Sequence, residues 1–429
     1  MNVPPAYQTA SGRAWVLGIL VVVYAVNFID RNILTVLLQP IKEEFGVSDT
    51  AMGLLTGFAF AVFYTFAGIP IARIADRSSR RTVMAVGIAF WSLMTAASGF
   101  ARSFAQLAVA RVGVGVGEAS ATPAAHSLIS DIFPLAWRTR AIAIYNGGAS
   151  LGILFGLLLG GWLAQTVGWR ATFVVVGLPG LLVALLVRFG ISEPPRGVSE
   201  GRVDRGEVPG FGETFAYLLT MPTFRHVALA AALYSVSAYG LLNWAPTFMK
   251  RIHDQSYFEI GMQLGLAIGI GGAVGQFAGA ALCDRLALRD RRWLVWVPAL
   301  LGATLAPFYM AFVLADDPGL AILAFVPVTL MNAVYAAPSY TIVQGLASLR
   351  MRATASAIML FVLNLIGLGL GPTLVGVLND LFEPSRGADA IRLSLVLLLG
   401  ANLWGAVHSL LAARTLEQDL DRTAERDSG

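Results

Sequence analysis

Twelve apolar runs, each long enough to cross a lipid bilayer, constrain this chain more than any other feature. A membrane-spanning helix needs about 20 mostly apolar residues. Runs of that length fall at α1 (14–39), α2 (50–74), α3 (81–100), α4 (103–133), α5 (139–166) and α6 (171–191), then at α7 (223–249), α8 (257–283), α9 (293–315), α10 (319–348), α11 (353–380) and α12 (389–413). Composition agrees: 56% of the 429 residues are hydrophobic and 13% charged. That is about half the charge of a soluble domain, too little to cover so much apolar surface in water. The runs are continuous and do not alternate, which disfavours a β-barrel. The expected fold is an all-α membrane protein of twelve transmembrane helices.

Between α6 and α7 the composition changes. Residues 192–222 hold Pro194, Pro195, five acidic residues and three arginines. This reads as a linker between an N-terminal six-helix bundle (1–191) and a C-terminal one (223–429) that ends in a short tail. Within the linker, 211–220 reads as a short interfacial helix. An internal repeat supports the division. Asp76-Arg77 with Arg80-Arg81 after α2 is echoed by Asp284-Arg285 with Arg291-Arg292 after α8; Arg138-x-Arg140-Ala141 before α5 is echoed by Arg350-x-Arg352-Ala353 before α11. The two offsets, 208 and 212 residues, agree closely. Six is even, so the halves share one orientation, the parallel repeat of some secondary transporters. Twenty-one of the 30 Lys and Arg residues fall on one set of loops and seven on the other. The positive-inside rule then places both termini and the linker in the cytoplasm. The polar stretch up to Arg13 precedes a run too long for a signal-peptide core, so no cleavage is expected.

Several chemistries are excluded. The two lysines, Lys42 and Lys250, follow no glycine, so there is no phosphate-binding loop of the Gly-Lys-Ser/Thr type. The four histidines (His126, His226, His253, His408) lack metalloprotease spacing. One cysteine, Cys283, forbids an internal disulfide or a multi-cysteine metal site. Positive charge is scattered over loops, which argues against a nucleic-acid partner. Gly113-x-Gly115-x-Gly117 lies inside an apolar helix, where small residues permit close helix approach. No enzyme, cofactor or metal is expected.

Four charges fall inside the bilayer: Asp30 and Arg31 on α1, Arg111 and Glu118 on α4. Such residues usually face a cavity and a partner. Asp30 lies about 13 Å from the outer end of α1 and Arg111 about 12 Å from that of α4, so the two share a level. Glu118 follows Arg111 by seven residues, nearly the same face and about 10 Å deeper. The expectation is that Arg111 pairs with Asp30 in one state and approaches Glu118 in another, the three forming a proton-coupling set. Arg31, about 100° from Asp30 around the helix, either holds an anionic substrate or neutralises Glu118. Asn27, Tyr145, Tyr239, Asn243, Trp244, Asn332 and Tyr335 are polar or aromatic residues expected to line the same cavity. The site is then cationic on the N-terminal half and apolar to aromatic on the C-terminal half, which suits an amphiphile with an anionic head.

Twelve helices in two parallel repeats, with Asp76, Arg77, Arg80 and Arg81 after α2, resemble the major facilitator superfamily, whose loop motif these residues match although Ala72 and Ser79 replace its glycines. Arg111, Gly115 and Gly117 match its α4 motif. Gly148, Gly152, Gly156, Gly160 and Gly161 are similar to its antiporter glycine motif without the proline. Gly168-Trp169-Arg170 and Ser192-Glu193-Pro194-Pro195 are further marks. Asn27-Phe28-Ile29-Asp30-Arg31, Gly117-Glu118-Ala119-Ser120 and Ser130-Asp131-Ile132-Phe133-Pro134 resemble the Spinster branch. The resemblance implies a proton-coupled secondary transporter working by alternating access on a sphingoid phosphate or lysophospholipid. The short loops look bacterial, which implies the inner membrane and a monomer. Small organic anions such as sugar acids are the alternative cargo; a channel or a non-transporting scaffold is more remote. Asp76, Arg77, Arg80 and Arg81, with Asp131 and Arg140, are expected to latch the cytoplasmic side closed in the outward-open state.

Overall fold

The computed structural model describes residue 7 and residues 9–194, 210–348 and 351–428. All twelve apolar runs are helical, and there is no strand among the described residues. The helix starts carry their own explanation. Thr9, Ser48, Ser79, Ser103 and Asp317 cap α1, α2, α3, α4 and α10, each side chain accepting a backbone N–H that the first helical turn leaves without a partner. α1 spans Ala10–Phe45 and ends at Gly46 in the left-handed region. α5 and α6 run as one helical stretch, Leu135–Gly190, bent at Gly168 (φ 77°, ψ 168°). The linker helix is Phe211–Leu219.

Five runs are less regular than their sequence reads, among them α11, which has a π-helical stretch at Leu363–Leu368. α4 breaks into Phe104–Glu118 and Ala121–Ile132, and α10 into Pro318–Asn332 and Ala336–Gly345. Pro123 and Pro338, each the third residue of its second segment, have no N–H for the carbonyl four residues back, Ala119 and Val334, and both of those residues lie in the breaks. α2 consists of Asp49–Leu54, a π-helical turn Leu55–Ala59 and Phe60–Arg77. α8 repeats the pattern with Tyr257–Gly265, the π-turn Leu266–Ile270 and Gly271–Ala287. A helix over Leu416–Ser428 stands where the sequence suggests only a tail. It does structural work: Asp419 Oδ2 accepts the backbone N–H of Thr223 at 3.0 Å, capping the start of α7, Pro222–His253.

The chain divides into two compact units. Unit 1 comprises Met1–Val47, Ala59–Arg205 and Gln255–Gly265; unit 2 comprises Ser48–Phe58, Gly206–Asp254 and Leu266–Gly429. The division falls inside the linker but reassigns the first segments of α2 and α8, and in both helices the π-turn adjoins the change. Within unit 1, α1 lies on the glycine face of α5. A Cβ at Gly152 would run into the Phe28 side chain and the Ala25 carbonyl, so this approach requires glycine. That contact fixes which face of α1 looks inward, and so where Asp30 and Arg31 point.

Candidate substrate and coupling site

The four intramembrane charges meet inside unit 1, as two separate ion pairs. Arg111 Nη1 donates to Asp30 Oδ1 at 2.9 Å, and the Thr95 hydroxyl of α3 donates to Asp30 Oδ2. Asp30 and Arg111 are both 3% exposed, and the Arg111 guanidinium lies 5.8 Å from the Phe173 ring centre. Arg31 Nε donates to Glu118 Oε2 at 2.6 Å. Glu118 is fully buried, and its Oε1 has no hydrogen-bond partner among the described residues. It is the last residue of the first α4 segment, where the helix breaks. Arg111 pairs with Asp30 as expected for one state, and Arg31 pairs with Glu118, the alternative to its holding an anion. Helical phase places Arg111 and Glu118 on one face, but it says nothing about how α1 slides against α4, and that slide brings Arg31 to Glu118.

Arg31 is the most accessible of the four, its side chain 16% exposed. Three rings flank its guanidinium: Phe28 at 5.3 Å, Phe60 at 4.9 Å and Tyr64 at 4.6 Å. Next to them Tyr24 stacks on Tyr145 at 4.4 Å, and His126 meets Tyr145 edge-on at 5.5 Å. Asn27 and Tyr145 are buried here. Phe28, Phe60 and Tyr64 escape a reading that looks for polar residues in apolar helices. The four-residue spacing of Phe60 and Tyr64, which puts both on one face of α2, was the available signal.

In unit 2 the polar residues do different work. Asn243 Nδ2 donates to the Tyr239 carbonyl at 2.9 Å, and Trp244 Nε1 donates to the Pro372 carbonyl at 2.9 Å, tying α7 to α11. Asn332 and Tyr335 bracket the break in α10. Asn332 Oδ1 is buried without a hydrogen-bond partner among the described residues, and the Tyr335 ring lies 5.5 Å from Tyr234. Unit 2 also holds a charge cluster that the sequence does not single out. The 1%-exposed Asp49 accepts from Arg251 Nη1 and Nη2 at 2.5 and 2.7 Å and from Asn379 Nδ2 at 2.9 Å. Asp380 accepts the backbone N–H groups of Asp49 and Thr50 at 2.9 and 2.7 Å.

Comparison with known proteins bears on this geometry. Residues 20–372 match the family model of the Major Facilitator Superfamily. The chain belongs to the Major Facilitator Superfamily. It is 36% identical to an MFS-type efflux pump of Mycolicibacterium smegmatis, over 95% of this chain and 94% of that one. The crystal structure of a bacterial homologue of the human lysosomal transporter Spinster, in an inward-facing and unoccupied conformation, superposes with a TM-score of 0.87 at 32% identity, covering 96% of this chain and 99% of that one. Weaker similarity, 26% identity over 61% of this chain and 59% of the relative, links it to a probable L-galactonate transporter of Escherichia coli. It is therefore a multi-pass membrane transporter of the Spinster type and not an enzyme.

The superfamily's loop motif after α2 takes a definite form. Arg80, 1% exposed, pairs with Asp131 of α4 and donates Nε to Glu193 at 2.8 Å and Nη2 to the Pro194 carbonyl at 2.9 Å. Arg81 Nη1 donates to the Ile191 carbonyl at 2.9 Å, and the Arg81 backbone N–H and the Ser79 hydroxyl also reach Glu193, at 3.1 and 2.8 Å. Burial works to raise the Glu193 carboxyl, but the Arg80 side chain, the Arg81 N–H and the Ser79 hydroxyl hold it below the usual carboxylate range. Arg77 is exposed, and the exposed Arg140 lies over the Trp137 ring at 4.9 Å. The side chain of Asp76 and residues 195–209 and 349–350, Arg350 among them, lie outside the described part. In the sequence Glu193 reads as linker acidity; its place in Ser192-Glu193-Pro194-Pro195 is the signal that sets it apart.

Proposed function

We propose that this protein is a proton-coupled secondary transporter, a monomer working by alternating access, that moves an amphiphilic anion of the sphingoid phosphate or lysophospholipid class. The observation that carries the reading is Glu118: a fully buried carboxyl group whose one oxygen holds Arg31 while the other has no hydrogen-bond partner among the described residues. A buried charge must be paired or neutralised. Glu118 therefore has two ways to remain in place, holding Arg31 or holding a proton. Protonation releases the guanidinium to an incoming phosphate or carboxylate, which it can grip with its planar set of donors. Proton and anion thus favour each other's binding. Asp30 and Arg111, sealed by Thr95, keep α1 and α4 together while this exchange takes place. The basic loops orient the chain with both termini in the cytoplasm, in a bacterial inner membrane.

The test is uptake into proteoliposomes under an imposed pH gradient, with oleoyl-lysophosphatidic acid and galactonate as alternative probes. Wild type should concentrate one of them against its gradient. Glu118→Gln should still exchange that probe down its gradient but lose uphill transport. Uphill transport by Glu118→Gln would defeat the coupling assignment. The second reading, a small sugar acid as cargo, is favoured by the similarity to the L-galactonate transporter. It wins if galactonate alone is concentrated.

A further inference from the structure

The Arg31 guanidinium has aromatic rings beside it as well as a carboxylate on its edge. Its Nε–H meets Glu118 at 2.6 Å, in the plane of the group. Its central carbon lies 4.6 Å from the Tyr64 ring centre and 4.9 Å from that of Phe60. A planar cation can stack on π-systems and hydrogen-bond along its rim at the same time, because the two interactions use different directions; an ammonium point charge has no such division.

The ring pair beside the cation is built, not incidental. Phe60 and Tyr64 are one turn apart on α2, and their rings are 5.7 Å apart and nearly parallel, at 15°. Phe60 is buried, and its ring rests over α4 where Gly115 has no side chain; a Cβ there would come to 3.3 Å from the ring. Three residues further along α4 stands Glu118. One glycine therefore seats the ring, the ring carries the guanidinium, and the guanidinium meets the carboxylate.

We propose that Phe60 and Tyr64 are positioning residues for the transported anion. They attract the Arg31 cation to one side of the site, 4.6 and 4.9 Å from their ring centres, so that it can pass from Glu118 to substrate with few rotamers to search. This rests on Arg31 as the anion contact, as the proposed function has it. Long cationic side chains lose considerable rotamer freedom on binding; a guanidinium already held beside the rings has lost much of it beforehand. The contribution is to affinity, and the rate of the conformational cycle is left alone.

The experiment is initial-rate uptake into proteoliposomes with full-length protein, using oleoyl-lysophosphatidic acid and, in parallel, galactonate. Phe60→Leu and Tyr64→Leu should each raise KM about two- to thirtyfold with kcat nearly unchanged, which corresponds to ~0.5–2 kcal/mol at about 1.4 kcal/mol per tenfold. Tyr64→Phe and Phe60→Tyr, which keep the rings, should retain the wild-type KM, and so separate ring stacking from general packing of α2. Arg31→Lys should raise KM at least as much as either leucine variant. Unchanged KM in both leucine variants, with a raised KM in Arg31→Lys, overturns the positioning role alone. A wild-type KM in Arg31→Lys overturns the positioning role, since an ammonium holds an anion without the planar edge; a wild-type KM in Arg31→Ala, or no saturable uptake of either probe, overturns the anion reading and this proposal with it. A loss confined to kcat would make the rings part of the moving scaffold and would also overturn it.

Discussion

Replacing Asp49 with asparagine removes one charge from the most tightly bonded cluster in unit 2 and leaves the shape nearly intact. The carboxylate takes three side-chain hydrogen bonds, two of them from Arg251. Breaking a buried ion pair by removing one partner costs about 3–5 kcal/mol, because the other charge stays behind. Arg251 retains 14% exposure of its side chain. It can reach water in part, so the lower end, about 3 kcal/mol, is the expectation. At roughly 2–4 °C per kcal/mol for a unit of a few hundred residues, Tm should fall by about 6–12 °C. Arg251→Gln should do comparable damage. The double variant should be no worse than either single one, giving a coupling of about 2–3 kcal/mol. Thermal unfolding of the purified protein in detergent micelles, followed by tryptophan fluorescence, measures all three. Losses that simply add in the double variant would refute the pairing.

Glu193 provides a pH test. Its carboxyl is held below the usual range in the folded protein, so its contribution is present above the unfolded carboxylate range and is lost as pH falls through the lower folded value. Glu193→Gln should therefore lower Tm at pH 7, and the difference from wild type should shrink as the pH is taken down through and below the usual carboxylate range. Asp30→Asn leaves Arg111 buried without its counter-charge and should lower Tm and abolish uphill transport; adding Arg111→Gln should recover Tm but not transport, as read by unfolding and uptake side by side. Gly152→Ala drives a methyl group into α1, and overpacking of this kind costs about 1–3 kcal/mol, seen as a lower Tm with the intramembrane ion pairs still present. Gly115→Ala presses on the Phe60 ring at 3.3 Å and should raise KM in the same direction as Phe60→Leu, measured in the same uptake assay.

The helical spans and the linker helix were legible because apolar runs and proline-rich punctuation are written in residue types. The level shared by Asp30 and Arg111 was legible because rise per residue converts position into depth. Partner choice was not. Whether Arg31 or Arg111 meets Glu118 depends on the sideways placement of α1 against α4, which follows from α1 lying on the α5 glycines, including Gly152. Asp49 and Arg251 are 202 residues apart and each sits at the end of a span, where a charge ordinarily means solvent. Nothing in Leu55-Thr56-Gly57-Phe58-Ala59 announces a π-turn, since a wider turn needs no special residue. Phe60 and Tyr64 read as lipid-facing or packing rings until the cation beside them is located.

The π-turns make the length of α2 and α8 a functional quantity. A π-turn closes its hydrogen bonds one residue later than an α-turn. Taking one residue out of Leu55–Ala59 would let α2 close as an ordinary helix, because the wider turn is what absorbs the extra residue, and Phe60 and Tyr64 would keep nearly their present place beside Arg31. Adding a residue there would instead turn both away by about 100°. α8 has the same property at Leu266–Ile270. A one-residue deletion within either turn should therefore be better tolerated than a one-residue insertion, while Gly57 resists substitution because a Cβ there would come to 2.6 Å from the Gly369 carbonyl.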